Sequence, residues 1–316
     1  MSTFVETDFS HEPVLLQEVL AQAAHAGDVR QMLDCTVGGG GHSAALLDAF
    51  PNARLLGIDR DLEALKAAGE RLSVYGDRVT LVHGCCSALR DICEEHEITQ
   101  TVDVMLADFG VSSHQIDTPE RGFSFRHDGP LDMRMDQSHG EPVWSLLESM
   151  DERDLASAIK EFGEERHATR VARALIADKP KTTGELAQIV HRVVPFARDG
   201  LDTATRTFQG LRMLVNDEAH EVGSWVKAVP YILRPGGVAI AISFHSGEDR
   251  LVKQGFQNDM QHCVCPPSLP VCLCHVKPVL AWLAKGPVMA TQEELARNVR
   301  SRSAKLRAVI RLGGSA

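Results

Sequence analysis

The sequence predicts an α/β fold, a parallel sheet with helices on both faces, interrupted by a helical insertion. Three observations carry this reading. A glycine-rich turn joins an apolar run to an alanine- and leucine-rich run over residues 31–47. Short apolar runs that finish on an acid, at Asp34, Asp59 and Asp108, alternate with stretches of helical period. From residue 111 to about 203 the alternation stops, and helical patterns follow one another with no strand between them. Strand and helix patterns in alternation fold as a doubly wound parallel sheet, whose ligands sit beyond the carboxyl ends of the strands.

The elements follow in order. Leu15, Leu16, Val19, Leu20 and Ala23 form one helical stripe, with Pro13 tolerated in the first turn. Q-M-L-D at 31–34 is a strand, and C-T-V-G-G-G-G-H-S at 35–43 turns it into a helix. Glycines let the backbone approach a bound molecule closely, and a helix start offers unpaired N–H groups and a positive dipole end. R-L-L-G-I-D at 54–59 is a buried strand closing on Asp59. That acid falls about 20 residues past the glycines, where a carboxylate takes ribose hydroxyls. A helix through Leu62, Leu65 and Leu72, a strand over 79–84, a helix over 87–97 and a strand over 102–108 follow.

NAD and S-adenosylmethionine both fit such a turn. Ser43 stands where the third glycine of G-x-G-x-x-G belongs, and no G-x-x-x-x-G-K-[S/T] loop occurs, so a ribose-bearing cofactor without a pyrophosphate fits better.

Residues 112–136 carry Gly and Pro punctuation and no regular period, and read as a long functional loop. Helical patterns then cover 143–162, 164–177 and 184–194. Residues 207–233 read as one long helix ended by Arg234-Pro235-Gly236-Gly237, before an apolar strand at 238–244. Ser246 and Asp249 have the spacing of a capping box, which predicts a helix start after that strand. Two further strands are predicted at 279–283 and 305–310. The division expected is a sheet domain in two parts, 1–112 and 205–316, around a loop and helical insertion at 113–204.

With 316 residues, 44% hydrophobic and 24% charged, the chain has the composition of a soluble globular protein. Its N-terminus lacks the basic and apolar regions of a signal peptide, and no apolar run approaches the roughly 20 residues of a membrane span, which predicts a cytoplasmic protein. Eight cysteines are then expected as thiols or metal ligands. A net charge of −10 argues against nonspecific coating of nucleic acid and leaves room for a local basic face.

One set of motifs, in order, is specific. H-E-P-V-L-L at 11–16, D-C-T-V-G-G-G-G-H-S at 34–43, D-F-G-V-S-S at 108–113, Q-I-D-T-P-E-R-G-F-S-F at 115–125 and D-G-P-L-D-M-R-M-D at 128–136 lead it. G-E-E-R-H-A at 163–168, T-R-T-F-Q-G-L-R at 205–212, I-S-F-H-S-G-E-D-R at 242–250 and R-S-R-S-A-K-L-R at 300–307 complete it. Together they resemble the ribosomal small subunit methyltransferase H family, also called MraW, over almost the whole chain. That family transfers methyl from S-adenosylmethionine to the 4-amino nitrogen of a cytidine in the decoding centre of 16S ribosomal RNA, on a Rossmann-like class I methyltransferase fold.

The resemblance implies cofactor contacts at Gly40, Gly41 and His42, at Asp59 on the ribose, Cys86 beside the adenine, Asp108 near the methionine end and Gln115 just after it. Cys86 replaces a frequent phenylalanine, Phe109 and His114 replace Leu and Pro, and Gly247 replaces a Leu. The amine of cytosine has a delocalised lone pair, so the enzyme must hold it in a geometry that localises the pair and must then accept a proton. Asp108 is a candidate for that hydrogen bond, with cofactor binding alone as its other role; His245 is a candidate relay, with support of a helix start as its other role. No cysteine is placed for attack on the ring.

For the 16S rRNA partner, expected within the 30S subunit, the candidates are Arg121, Arg126 and Arg134, then Arg166, Arg170 and Arg173, then Arg297, Arg300, Arg302, Lys305 and Arg307, with Phe123 and Phe125 for stacking. A cytidine flipped under the 112–136 loop is expected. Cys263, Cys265, Cys272 and Cys274, flanked by His262 and His275, offer C-x-C pairs for zinc or a loop of free thiols. The competing readings are a methyltransferase of another RNA, a small molecule or a protein, a nicotinamide oxidoreductase, and a noncatalytic ribosome-binding factor.

Overall fold

The computed structural model describes residues 13–196, 200–261, 265, 274 and 276–313. Two units arise, one from Met1–Gly110 with Ala219–Ala316 and the other from Val111–Glu218. The first begins with α1 (Leu16–Ala23), β1 (Gln31–Asp34), α2 (Gly41–Ala49), β2 (Arg54–Asp59), α3 (Leu62–Leu72), β3 (Val79–His83), α4 (Leu89–Glu95) and β4 (Val102–Asp108). The second holds α5 (Ser113–Asp117), α6 (Val143–Ser149), α7 (Glu152–Gly163), α8 (Ala168–Asp178), α9 (Thr183–Val193) and α10 (Thr205–Val215). The chain returns through α11 (Glu218–Ile232), β5 (Leu233–Ser243), α12 (Ser246–Asp259), β6 (Leu280–Trp282), α13 (Gln292–Arg297) and β7 (Lys305–Arg311).

The seven strands lie in the order β3-β2-β1-β4-β5-β7-β6. The first five are parallel, while β7 runs antiparallel to both β5 and β6. The sheet winds outward in both directions from the β1–β4 pair, so the crevice beyond Asp34 and Asp108 is the topological switch point where such sheets bind ligands. Both faces are covered. Leu89, Ile92, Trp225, Val229 and Phe256 pack on one, and Val19, Leu46, Leu47, Ala68 and Leu72 on the other. This explains why V-D-V-M-L-A in β4 is buried without alternation. Burial of each such Leu or Ile stabilises the unit by about 1.5–3 kcal/mol.

The expected turn at 234–237 lies inside β5. Val102 pairs with Leu233 and Val104 with Val238, so the four residues between loop out as a register shift. The long helix expected over 207–233 is two helices. Asn216 breaks it: its amide donates to the Met133 carbonyl at 2.7 Å, its Oδ1 accepts the Met135 N–H at 2.8 Å, and Asp217 turns left-handed at φ 48°. The helix 205–215 therefore belongs to the second unit, although the sequence reading assigned it to the returning sheet.

In the second unit α7 and α10 meet at glycines. A Cβ on Gly163 would lie 2.2 Å from the Arg206 carbonyl oxygen, and one on Gly210 would lie 3.1 Å from Ile159 Cα. Leu155, Ile159, Val171, Leu175, Leu186, Val190, Phe208 and Leu211 form its core. The single helix expected over 143–162 is divided at Asp151, whose side chain caps α7 by accepting the Asp154 N–H at 2.8 Å. The expected loop 112–136 contains α5 and a short 3-10 turn, Pro119–Arg121. Arg121, 2% exposed, fastens it by donating to the carbonyls of Arg134 and Met135.

Candidate active site

Strand ends and the glycine turn assemble the site in the first unit. Gly40 sits at φ 78° with Leu72 Cγ 3.1 Å from where its Cβ would stand, and a Cβ on Gly41 would lie 2.7 Å from Pro13 Cγ. Backbone conformation excludes a side chain at 40, and close packing excludes one at 41. The turn is held by the acids on either side of it. Asp34 accepts from the Ser43 hydroxyl at 2.6 Å and from the Thr36 N–H at 3.1 Å. Asp59 accepts from the Gly38 N–H at 2.8 Å and the Asp61 N–H at 2.9 Å. Burial pushes both carboxyls up to about 6, against the pull of those hydrogen bonds.

Asp108 stands at the end of β4, its N–H donating to Thr36 Oγ1 at 2.7 Å. A quarter of its side chain is open, yet Oδ1 is buried with no hydrogen-bond partner among the described residues. Burial, then the charges of Asp34 and Glu248, hold its carboxyl well above the ordinary range. His42, on the first turn of α2, lies with Nδ1 3.8 Å from Asp108 Oδ2. Its Nε2 is 2.9 Å from the Val14 carbonyl, and burial lowers its pKa to about 4, so the ring is neutral.

β5 pairs beside β4, with Asp108 opposite Ile242. The partner the structure gives His245 is Glu248. His245 is itself the cap of α12, Nδ1 accepting the Glu248 N–H at 3.4 Å, while Nε2 is 2.9 Å from Glu248 Oε1. The helix start is as expected; the capping residue is His245 in place of Ser246. Glu248, fully buried, also accepts the Phe244 N–H at 2.8 Å. Sequence reasoning passed over Glu248 as a site residue and took Asp34 only as a strand end. The signal was present in H-x-x-E spacing after a buried strand, and in Ser43 nine residues after Asp34.

Cys86 follows β3 and is buried, 7% exposed. Burial, then the Glu221 carboxylate, drives its thiol far up, and burial does the same to Cys35; neither is a thiolate nucleophile at neutral pH. Gln115 lies in the second unit, 4% exposed, where its Oε1 accepts the Ser112 N–H at 2.9 Å in the capping box of α5. Phe109 packs edge to face on Trp225 at 5.5 Å. Gly247 sits against the His245 ring, where a Cβ would be 3.2 Å from Nδ1.

Several arginines expected to face RNA are committed within the protein. Arg134 grips Asp132 through Nε at 2.8 Å and Nη2 at 2.9 Å, Arg173 holds Glu152 at 2.9 Å, and Arg307 holds Asp249 at 2.6 Å. Arg170 donates to the Val193 carbonyl at 3.0 Å, and Lys305 is 3.8 Å from Asp249. Phe125 packs against Phe208 with ring centroids 4.8 Å apart and planes tilted by 57°, and Arg121 lies over the Phe123 ring at 5.8 Å. Arg126, Arg166, Arg297 and Arg302 are exposed, and Arg300 is half-buried. Among the candidate zinc ligands, Cys263, Cys272, His262 and His275 lie outside the described residues. No group of three or more metal-ligating side chains occurs among the described residues.

The model of the MraW methylase family matches residues 8–312. The chain belongs to the MraW methylase family. Curated relatives agree along their full length. A ribosomal RNA small subunit methyltransferase H of Symbiobacterium thermophilum is 44% identical, covering 96% of this chain and 97% of its own. Proteins of the same name from Syntrophotalea carbinolica and Anaeromyxobacter dehalogenans are each 45% identical, covering 96% and 98% of this chain and 98% and 100% of theirs. For a member of this family the seven-stranded sheet with its switch-point acids is the Rossmann-like methyltransferase fold expected from the sequence.

Proposed function

We propose that this chain transfers the methyl group of S-adenosylmethionine to the 4-amino nitrogen of a cytidine in the decoding region of 16S rRNA, in the cytoplasm and on the small subunit. The observation that carries the proposal is the full-length kinship with proteins named ribosomal RNA small subunit methyltransferase H. The site fits such a donor. The left-handed Gly40, the acid Asp59 at the next strand end and the buried Oδ1 of Asp108, unpaired among the described residues, suit a ribose-bearing cofactor without a pyrophosphate. Gly40, Gly41, His42, Asp59, Cys86, Asp108 and Gln115 are the residues assigned to it. S-adenosylmethionine supplies an electrophilic methyl on a sulfonium.

The protein does the rest by placement, since in-line approach to about 3–3.5 Å supplies much of the rate. Asp108 accepts a hydrogen bond from the target amine, turning its lone pair out of conjugation toward the methyl, and takes the released proton. His245 holds the start of α12, and through it the buried Glu248 that faces Asp108. Buried thiols at Cys35 and Cys86 accord with direct transfer and no covalent adduct.

The test is incubation of unmethylated 30S subunits with cofactor labelled in the methyl group, followed by nucleoside identification. Label in 4-N-methylcytidine is expected, with Asp108→Asn slowing transfer by at least about 100-fold. Subunit binding with no label in RNA, or label on another base, sinks the proposal.

A further inference from the structure

The segment that leads into α1 is tied to α13 by one buried carboxylate. Pro13, Val14 and Leu15 run beside the glycine turn, and the first two touch it. The Pro13 ring fills the space next to Gly41, with Cγ 2.7 Å from where a Cβ would stand, and the Val14 carbonyl lies 2.9 Å from His42 Nε2. A carbonyl only accepts, so Nε2 carries the hydrogen, and the contact sets both the tautomer and the orientation of the ring. The third residue holds the other two in place. Leu15 is fully buried at φ 55°, ψ 34°, a left-handed conformation that a leucine keeps only where its surroundings impose it. Its N–H donates to Glu294 Oε1 on α13 at 2.7 Å, across 279 residues of sequence. Glu294 is 6% exposed, and the Ser301 hydroxyl donates to the same oxygen. The Thr291 hydroxyl caps α13 by accepting the Glu294 N–H at 3.2 Å.

We infer that Glu294 is a positioning residue of the cofactor site: by holding the Leu15 N–H it keeps residues 13–15 against Gly41 and His42, and so orients the turn that receives S-adenosylmethionine. The inference rests on the methyl-transfer reading above, which sets the donor against Gly40, Gly41 and His42. The Thr291 cap and the Ser301 hydroxyl already fasten α13 locally, whereas the Leu15 bond is the one that leads to the glycine turn. A buried donor deprived of its acceptor pays the full cost of desolvation. Without the carboxylate, the Leu15 N–H must therefore reach water, the left-handed leucine relaxes, and the Val14 carbonyl leaves the His42 ring. Glu294 acts through the backbone of residues 13–15, so its loss is felt as a misplaced cofactor turn.

The test measures adenosylhomocysteine affinity by calorimetry, with melting temperature alongside, for wild type, Glu294→Ala, Glu294→Gln and Val229→Ala. Gln keeps an oxygen that accepts the Leu15 N–H. Val229→Ala removes core packing on the other face of the sheet, and controls for loss of stability alone. Glu294→Ala is expected to bind at least about tenfold more weakly, while Glu294→Gln and Val229→Ala stay within about threefold of wild type. In spectra of protein labelled with 15N-histidine, the His42 Nε2–H signal, assigned by its loss in His42→Asn, should persist in Glu294→Gln and vanish into exchange with water in Glu294→Ala. The inference is overturned by wild-type affinity or an unchanged His42 signal in Glu294→Ala, by a Gln variant as weak as the Ala variant, or by equal weakening in Val229→Ala. Should Glu294→Ala not fold, Glu294→Asp, one methylene short of Leu15, takes its place with the same expected readings. A wild type that binds no adenosylhomocysteine brings down the methyl-transfer reading, whereas one that binds it as tightly as its Ala variant overturns this inference alone.

Discussion

At the scale of single residues the site is governed by carboxyls kept out of water. With the Asp59 carboxyl raised to about 6, the ribose hydroxyls that the proposed function places on it would find a good acceptor only above that pH. Hydroxyl donation favours the ionised form, so the dissociation constant for adenosylhomocysteine should rise about tenfold per pH unit below 6. The ligand-free protein has the opposite sense. A carboxyl whose folded pKa lies above its unfolded value stabilises the fold fully below about pH 4 and loses that contribution as pH climbs through 6. Asp34 and Asp59 each contribute up to about 3 kcal/mol in this way. The increase in melting temperature caused by adenosylhomocysteine should therefore grow between pH 5 and 7, measured against ligand-free samples at each pH. A constant increase would contradict the placement of Asp59 on the ribose. The place of Asp59 at a strand end was legible in the sequence because strand ends repeat. Glu248 was not, because its importance lies in facing Asp108 from an element whose fold position periodicity does not give.

Elements were read more surely than their breaks. The strands ending in Asp34, Asp59 and Asp108 are as expected, since buried parallel strands are unbroken apolar runs. The breaks at Asp151 and Asn216 were missed because each depends on a side chain bonding to backbone, which helical period does not register. Truncation of such a cap has a known scale, and Asp151→Ala should lower stability by about 1 kcal/mol in denaturant unfolding. Gly163→Ala tests the α7–α10 contact. Its Cβ would stand 2.2 Å from a backbone oxygen that cannot swing aside, so about 2 kcal/mol of destabilisation is expected after the gain in helix propensity. An unchanged unfolding midpoint would mean that the two helices do not approach as described.

Across the molecule, charge limits how RNA is held. A net −10 and the internal pairing of Arg134, Arg173 and Arg307 leave few free cations among the described residues expected to meet phosphate. Arg126→Ala should weaken methylation of 30S subunits about tenfold while leaving adenosylhomocysteine affinity unchanged, and salt dependence should correspond to only a few phosphate contacts. Equal methylation by the variant would take the 112–136 loop out of RNA recognition. The fold class and the insertion were readable from the lost alternation, whereas the point of return at Ala219 was not, because helix follows helix there.

The second unit is inserted between β4 and the segment that supplies β5, although those strands are neighbours in the sheet. While the chain is being synthesised, the apolar edge of β4 therefore stays uncovered until Leu233 and its successors have emerged. An open edge of that kind invites pairing with another nascent chain, and the delay is set by translation speed more than by any local propensity. Slow codons within the insertion should raise the aggregated fraction of newly made protein without altering the properties of the molecules that reach the native state.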